Sequence, residues 1–197
     1  MTTGKMGQFE KSLVNSDRHS RRVSLYAEWL VRLVNPHPGQ QYLDIGCGNG
    51  AAPIHIARTF QLEVTGVDVD AEQINFAQTI SKGMPNVHFM TLDSRGLPFA
   101  DEKFDFVFTN KVIHHISGWQ KAVVEMLRVL RPGGHLIYAD FILPQSVARL
   151  GEAFFGSRAG FPTRTVLENL FSQNGLYPVH RQVNPLHFEG VFLKGQE

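Results

Sequence analysis

The chain has 197 residues, 43% hydrophobic and 19% charged, with a formal net charge of +1 and a single cysteine. That length suffices for one domain with a substantial core, and the near-neutral charge gives no general case for nucleic acid or an anionic membrane as partner. One cysteine excludes an internal disulfide framework and a cysteine-based metal site. The absence of a secretory apolar run in residues 1–15, and of any membrane-length apolar stretch, points to a cytoplasmic protein without membrane insertion.

Residues 1–20 carry few apolar side chains and read as an arm. Leu25, Tyr26, Trp29, Leu30, Leu33 and Val34 then recur at helical spacing, and Asn35-Pro36 stops the helix. Arm and helix together, residues 1–38, immediately precede the first strand. They either pack on the sheet or cap a ligand site belonging to the main domain, residues 39–197. The cluster Arg18, His19, Arg21 and Arg22 is a solvated helix start or a hold for an acidic group.

Tyr42-Leu43-Asp44-Ile45-Gly46-Cys47-Gly48-Asn49-Gly50 reads as a buried strand entering a glycine-rich turn, with a helix over residues 51–60. Alternate glycines permit backbone angles that side chains forbid and leave no Cβ to block a ligand. The helix start adds unpaired N–H groups and partial positive charge. Asp44 decides the kind of ligand: its carboxylate would repel a phosphate and attract an ammonium or sulfonium.

Residues 62–67 form the second strand, ending at Asp68, about twenty residues past the turn, where a carboxylate can accept from both ribose hydroxyls. Asp70 is the N-cap of the next helix, with Gln73 in the reciprocal capping-box position. Residues 87–92 form the third strand, with Asp93-Ser94 at its carboxyl end, suited to read an adenine edge. Residues 104–109 form the fourth, followed by Asn110 and then Ile113-His114-His115-Ile116. Ser117 with Gln120 is expected to cap a helix ending at Arg131-Pro132-Gly133-Gly134, before a fifth strand over residues 135–141. Phe154, Phe155 and Phe161 line an apolar substrate pocket or pack on the core. Thr165 with Glu168 opens a last helix with Gly175 at its end. Residues 177–183 and 187–193 then make an antiparallel hairpin through Asn184-Pro185.

Alternating strands and helices imply an α/β protein with a mostly parallel sheet covered on both faces. The Asp-x-Gly-x-Gly-x-Gly stretch, Asp68, Asp93, the Arg-Pro-Gly-Gly turn and the terminal hairpin together resemble the class I S-adenosylmethionine-dependent methyltransferases. The resemblance runs from about residue 40 to the C-terminus. It implies a Rossmann-like, seven-stranded, mostly parallel sheet with an antiparallel C-terminal hairpin. The Ile113–Ile116 segment looks like the small-molecule branch that includes ubiquinone and sterol methyltransferases.

By position, the resemblance implies that Asp44 and the loop Gly46, Cys47, Gly48, Asn49 and Gly50 hold the methionine moiety of S-adenosylmethionine. Asp68 then holds the ribose, Val69 packs on adenine, Asp93 and Ser94 read its edge, and Asn110 approaches the amino group. His114 and His115 face the acceptor, as candidate bases for a hydroxyl or acidic carbon. They are otherwise packed or helix-start histidines. No metal site is expected, since no acidic cluster accompanies the histidine pair in sequence. The Asn/Asp-Pro-Pro-aromatic signature of amino methylation on nucleic acids is absent, where Asn110-Lys111-Val112 stands. The reaction expected is methyl transfer from S-adenosylmethionine to a small-molecule acceptor, on O, N or C, leaving S-adenosylhomocysteine. Two alternatives stay open. Gly46, Gly48 and Ala51 also satisfy the Gly-x-Gly-x-x-Ala of a nicotinamide-dependent oxidoreductase, although Asp44 would sit beside its pyrophosphate. A non-catalytic S-adenosylmethionine-binding protein would use the same fold.

Overall fold

The computed structural model describes residues 16–144, 146–147 and 161–196. In chain order it contains α1 (Asp17–Arg32), β1 (Gln41–Ile45), α2 (Ala51–Phe60), β2 (Glu63–Asp68), α3 (Ala71–Ile80), β3 (Val87–Thr91), β4 (Phe104–Asn110), a 3-10 turn (Ile113–His115), α4 (Trp119–Val129), β5 (Leu130–Phe141), α5 (Arg164–Gln173), β6 (Leu176–Asn184) and β7 (His187–Lys194). The seven strands run in the order β3-β2-β1-β4-β5-β7-β6. Two compact units divide after Ser94.

In the first unit β1 pairs parallel to β2, from Gln41 opposite Glu63 to Ile45 opposite Val67, and β2 pairs parallel to β3. Parallel strands are covered on both faces, so their apolar runs are continuous rather than alternating. Leu43, Ile45, Val64 and Val67 are accordingly buried, with Ile56 of α2 and Ile74 of α3. Ser16 caps α1 by accepting from the His19 amide, and Asp17 and Arg32 complement the helix dipole at its two ends. The buried face of α1 is Ser24, Ala27, Leu30 and Val31, whereas Leu25, Trp29 and Leu33 are exposed. The face read from the large apolar residues is therefore rotated. Small Ser24 and Ala27, which permit close helix approach, share that face with Leu30 and Val31.

In the second unit β4 is parallel to β5, and β7 pairs antiparallel with both β5 and β6. Phe104, Phe108, Tyr138, Phe171 and Phe188 are its largest fully buried side chains. Phe171 meets Tyr138 edge-on at 5.6 Å and Phe192 at 4.8 Å, tying α5 to β5 and β7. Arg128 of α4 donates to the carbonyls of Leu97 and Phe99 and to Glu125 and Asp101, which pins the irregular crossing before β4.

Several local expectations are corrected. The cap of α4 is Gly118 in a left-handed conformation (φ +73°), with no side-chain cap, so Ser117 does not fill that role. The cap of α5 is Thr163, which accepts from the Val166 amide, and Glu168 instead pairs with Arg164 and Arg181. The Arg131–Gly134 stretch does not precede β5 but forms its irregular start. Phe104 pairs with Leu130 and Phe106 with His135, so the intervening residues of β5 bulge. Arg131 closes that bulge on Asp105 of β4, with Nη2 2.5 Å from Oδ1. Phe154, Phe155 and residues 1–15 of the expected arm lie outside the described residues.

A Cβ at Gly134 would stand 2.7 Å from the Asp105 carbonyl oxygen and 2.9 Å from that of Arg131. Backbone cannot swing aside as a side chain can. Gly134→Ala is therefore expected to cost about 1–3 kcal/mol, the usual scale of overpacking. Urea unfolding checks it: the midpoint should fall with an unchanged slope.

Candidate functional site

The glycine loop follows from what β1 and β2 leave at their ends. The amides of Gly46 and Cys47 both donate to the Val67 carbonyl, at 2.8 and 3.1 Å, so the loop turns across the end of β2. Asn49 Oδ1 accepts from the Ala51 amide, which starts α2, and Asn49 Nδ2 donates to Ser20 Oγ of α1 at 3.1 Å. A second tie between these helices is the His55–Glu28 pair at 2.5 Å. It holds the Glu28 carboxyl below its ordinary value, with help from Arg32.

Two glycines of the loop do different work. A Cβ on Gly50 would lie 2.7 Å from Ala77 Cβ and from Phe89 Cζ, so protein already fills that space. Phe89 also comes within 2.6 Å of where a Cβ on Gly66 would stand. Gly48, at φ +52°, has nothing within 4 Å of its missing Cβ, so the loop opens outward there. The Cys47 side chain is buried against Gly66, and burial, then Asp44 and Asp68, push its thiol well up. It is a neutral packing group and not a nucleophile.

Asp44 is 3% exposed, and its carboxyl accepts no hydrogen bond among the described residues. Burial first, then the neighbouring Asp68, push its pKa from 3.8 up to about 8. Asp68 also lies above its ordinary value through burial, opposed by backbone N–H groups. Its Oδ2 accepts from the Gly48 amide at 3.0 Å and its Oδ1 from the Asp70 amide at 2.9 Å. Asp70 caps α3 as expected, accepting from Glu72. Gln73 does not complete the capping box: the Asp70 amide is engaged by Asp68, and Gln73 Oε1 is buried without a partner among the described residues. Val69 presents an exposed apolar side chain just past β2. The Leu92 amide donates to the Asp68 carbonyl, bringing the end of β3, and with it exposed Asp93 and buried Ser94, to the end of β2.

The remaining predicted residues belong to the second unit. Asn110 ends β4, and its Oδ1 is buried without a partner among the described residues. His114 is held by a residue that sequence reasoning missed. Its Nδ1 lies 2.5 Å from Oδ1 of Asp140, a fully buried acid at the carboxyl end of β5, and its amide donates to Asp140 Oδ2 at 3.2 Å. Asp140 Oδ1 also accepts from the Phe141 amide. A single acid thus accompanies the histidine pair, and no group of three or more potential metal ligands occurs among the described residues. The one available signal for Asp140 was an aspartate in the last positions of an otherwise apolar strand. The His114 ring lies 3.9 Å from that of His115, meets Phe141 edge-on at 5.2 Å and stacks with Phe161 at 6.1 Å.

A methyltransferase-domain family model matches residues 43–138. The chain is 32% identical over 175 residues to the O-methyltransferase cnsE of Penicillium expansum, covering 84% of this chain and 60% of that protein. Over these residues the chain is similar to methyltransferases. A second relative is the 27-O-demethylrifamycin SV methyltransferase of Amycolatopsis mediterranei. It is 36% identical over 115 residues, 57% of this chain and 42% of its own. The chain thus spans about half the length of the curated relatives it matches. In fold it is similar to geranyl diphosphate C-methyltransferase from Streptomyces coelicolor A3(2), crystallised with Mg2+, geranyl diphosphate and S-adenosyl-L-homocysteine. The TM-score there is 0.71 at 16% identity, over 97% of this chain and 85% of that one. The expected class I fold, a seven-stranded mixed sheet with an antiparallel terminal hairpin, is thereby shown. No helix among the described residues is long and apolar enough to cross a membrane.

Two predictions come from this geometry. Gly50→Ala should unfold the protein at lower denaturant, whereas Gly48→Ala, facing open space, should lose no more than about 1 kcal/mol through its positive φ. Urea titration of both variants separates the roles. Asp44 binds its proton more tightly folded than unfolded, so it removes stability as pH rises from 3.8 to about 8. Asp44→Asn should flatten that decline, by up to about 1.4 kcal/mol per pH unit. Unfolding free energies across pH check it; parallel curves would show Asp44 titrating normally.

Proposed function

We propose that the protein binds S-adenosylmethionine through the loops after β1, β2 and β3 and transfers its methyl group to a small-molecule acceptor. One observation carries this reading: Asp44 is a buried acid lacking a cation, next to a loop that opens at Gly48. A nicotinamide dinucleotide would bring a pyrophosphate to that acid, which disfavours the oxidoreductase alternative.

In this reading Asp44 and residues 46–50, Cys47 and Asn49 contributing backbone, hold the methionine portion. The lone pairs of Asp68 that face away from Gly48 and Asp70 accept from the ribose hydroxyls. Val69 packs on adenine, Asp93 and Ser94 meet its edge, and Asn110 reaches the amino group. Residues 1–38 act as the cap, a role supported by the Asn49–Ser20 and His55–Glu28 ties. Bound S-adenosylmethionine supplies an electrophilic methyl on a sulfonium. The protein's own task is to align the acceptor in line with that methyl and exclude water. His114 and His115 stand on the acceptor side. The net charge of +1 suits a small molecule better than a nucleic acid, and a cytoplasmic site of action belongs to the same proposal.

Titration calorimetry tests it. S-adenosylmethionine and S-adenosylhomocysteine should bind and NAD should not; tight NAD binding with no adenosylhomocysteine signal would overturn the reading. Asp68→Asn should weaken cofactor binding by roughly 1.5–3 kcal/mol, the scale for hydrogen bonds to a charged group. It should also lower stability slightly, because one backbone amide loses its acceptor.

A further inference from the structure

We propose that the outward face of α1, with the end of α3 beside it, docks on the surface of an anionic lipid bilayer. The inward side of α1 is Ser24, Ala27, Leu30 and Val31. On the opposite side Leu25, Trp29 and Leu33 follow one another at four-residue spacing, and Phe76 and Ile80 repeat that spacing on α3. All five are between 40% and 52% exposed. Single exposed apolar side chains are ordinary, but two runs bordering one cleft are not. Leu25 and Ile80 both line a cleft of about 570 Å3, together with Ile54 and Arg58 of α2.

Charge on this face selects the partner. Arg18, Arg21 and Arg22 flank the apolar run of α1, and Arg21 and Arg58 reach the cleft. All four are exposed, and none has a carboxylate partner among the described residues. No acid lies on α2. Of those on α1 and α3, Glu28 is held by Arg32 and His55, while Asp17 and Glu72 stand in first turns, where the helix dipole favours them. The net charge of +1 over the whole chain conceals this local excess. A basic helix face that also carries Trp and Leu suits a membrane interface. There the guanidinium groups meet lipid phosphates, and their stems enter the acyl boundary with the apolar side chains. A bilayer offers phosphate and hydrocarbon at every point, so arginines and apolar residues sharing one helix face need no partner of matching shape. The cleft gives Arg21 and Arg58 a recess in which to hold one headgroup. With 16 residues α1 is roughly 24 Å long, too short and too charged to cross the bilayer, so it lies on the surface.

The test uses the whole protein with vesicles of mixed phosphatidylglycerol and phosphatidylcholine, and of phosphatidylcholine alone, read by co-sedimentation and tryptophan emission. The chain has two tryptophans and Trp119 is buried, so a blue shift on adding vesicles reports Trp29. The anionic vesicles should carry the protein down and shift its emission, and the zwitterionic ones should do neither. Trp29→Phe should still sediment but lose the shift. Replacing Arg21 and Arg22 together by Gln should weaken partitioning by about tenfold or more. Replacing Leu25 and Trp29 together by Ser should weaken it by a similar factor. Raised salt should weaken binding as well. The four side chains are exposed, so thermal melts should stay close to wild type; if the serine variant melts early, the glutamine variant carries the test. No sedimentation with anionic vesicles, equal binding to both vesicle types, an unmoved emission, or full binding by the glutamine variant would each overturn the inference. Binding to poly-glutamate but not to vesicles would point to an acidic protein partner and overturn it too.

Discussion

A carboxyl group without a partner in a protein interior is costly in its charged form, and Asp44 occupies that position at the end of β1. Holding a proton to about pH 8 relieves that cost. The surrounding architecture offers another solution, a cation delivered from outside. The loop opens at Gly48, and Asp68 adds a second acid that makes the ionised state of Asp44 harder to sustain alone. The site is thus electrostatically unfinished, which suits it to the positively charged ligand proposed above.

Asp68 has a structural task as well as the one proposed for it. Its two oxygens gather amides from Gly48 and Asp70, segments twenty and two residues away. One carboxylate thereby fixes the outward bend of the loop and the start of α3 together. Pairing this with the tie from Asn49 to Ser20 means that the loop is held from β2 on one side and from α1 on the other. Few of its degrees of freedom remain to be lost when a ligand arrives.

The elements and their order were legible because they rest on period and punctuation: continuous apolar runs for β1, β2 and β4, and glycines and prolines between them. The loop was legible because its chemistry is contiguous. What escaped depends on contacts. Asp140 is 26 residues from His114, and no short motif joins them. The inward face of α1 was misjudged because size was taken for burial, when Ser24 and Ala27 serve the contact better than Leu25 and Trp29. Ser117 looked like a cap, yet the chain turns at Gly118, where conformational freedom outweighed a hydroxyl. The Gln73 box failed because a stronger, charged acceptor two residues earlier took the same amide.

Phe89 occupies the volume that Cβ atoms on both Gly50 and Gly66 would need. The three positions therefore cannot drift independently. A larger residue at Gly66 becomes tolerable only after the ring at position 89 has shrunk, one at Gly50 needs room at Ala77 as well, and the order of those changes matters. This makes the trio a site of sign epistasis. The loop proposed to hold the cofactor is thus also constrained from behind, by a side chain that no ligand need touch.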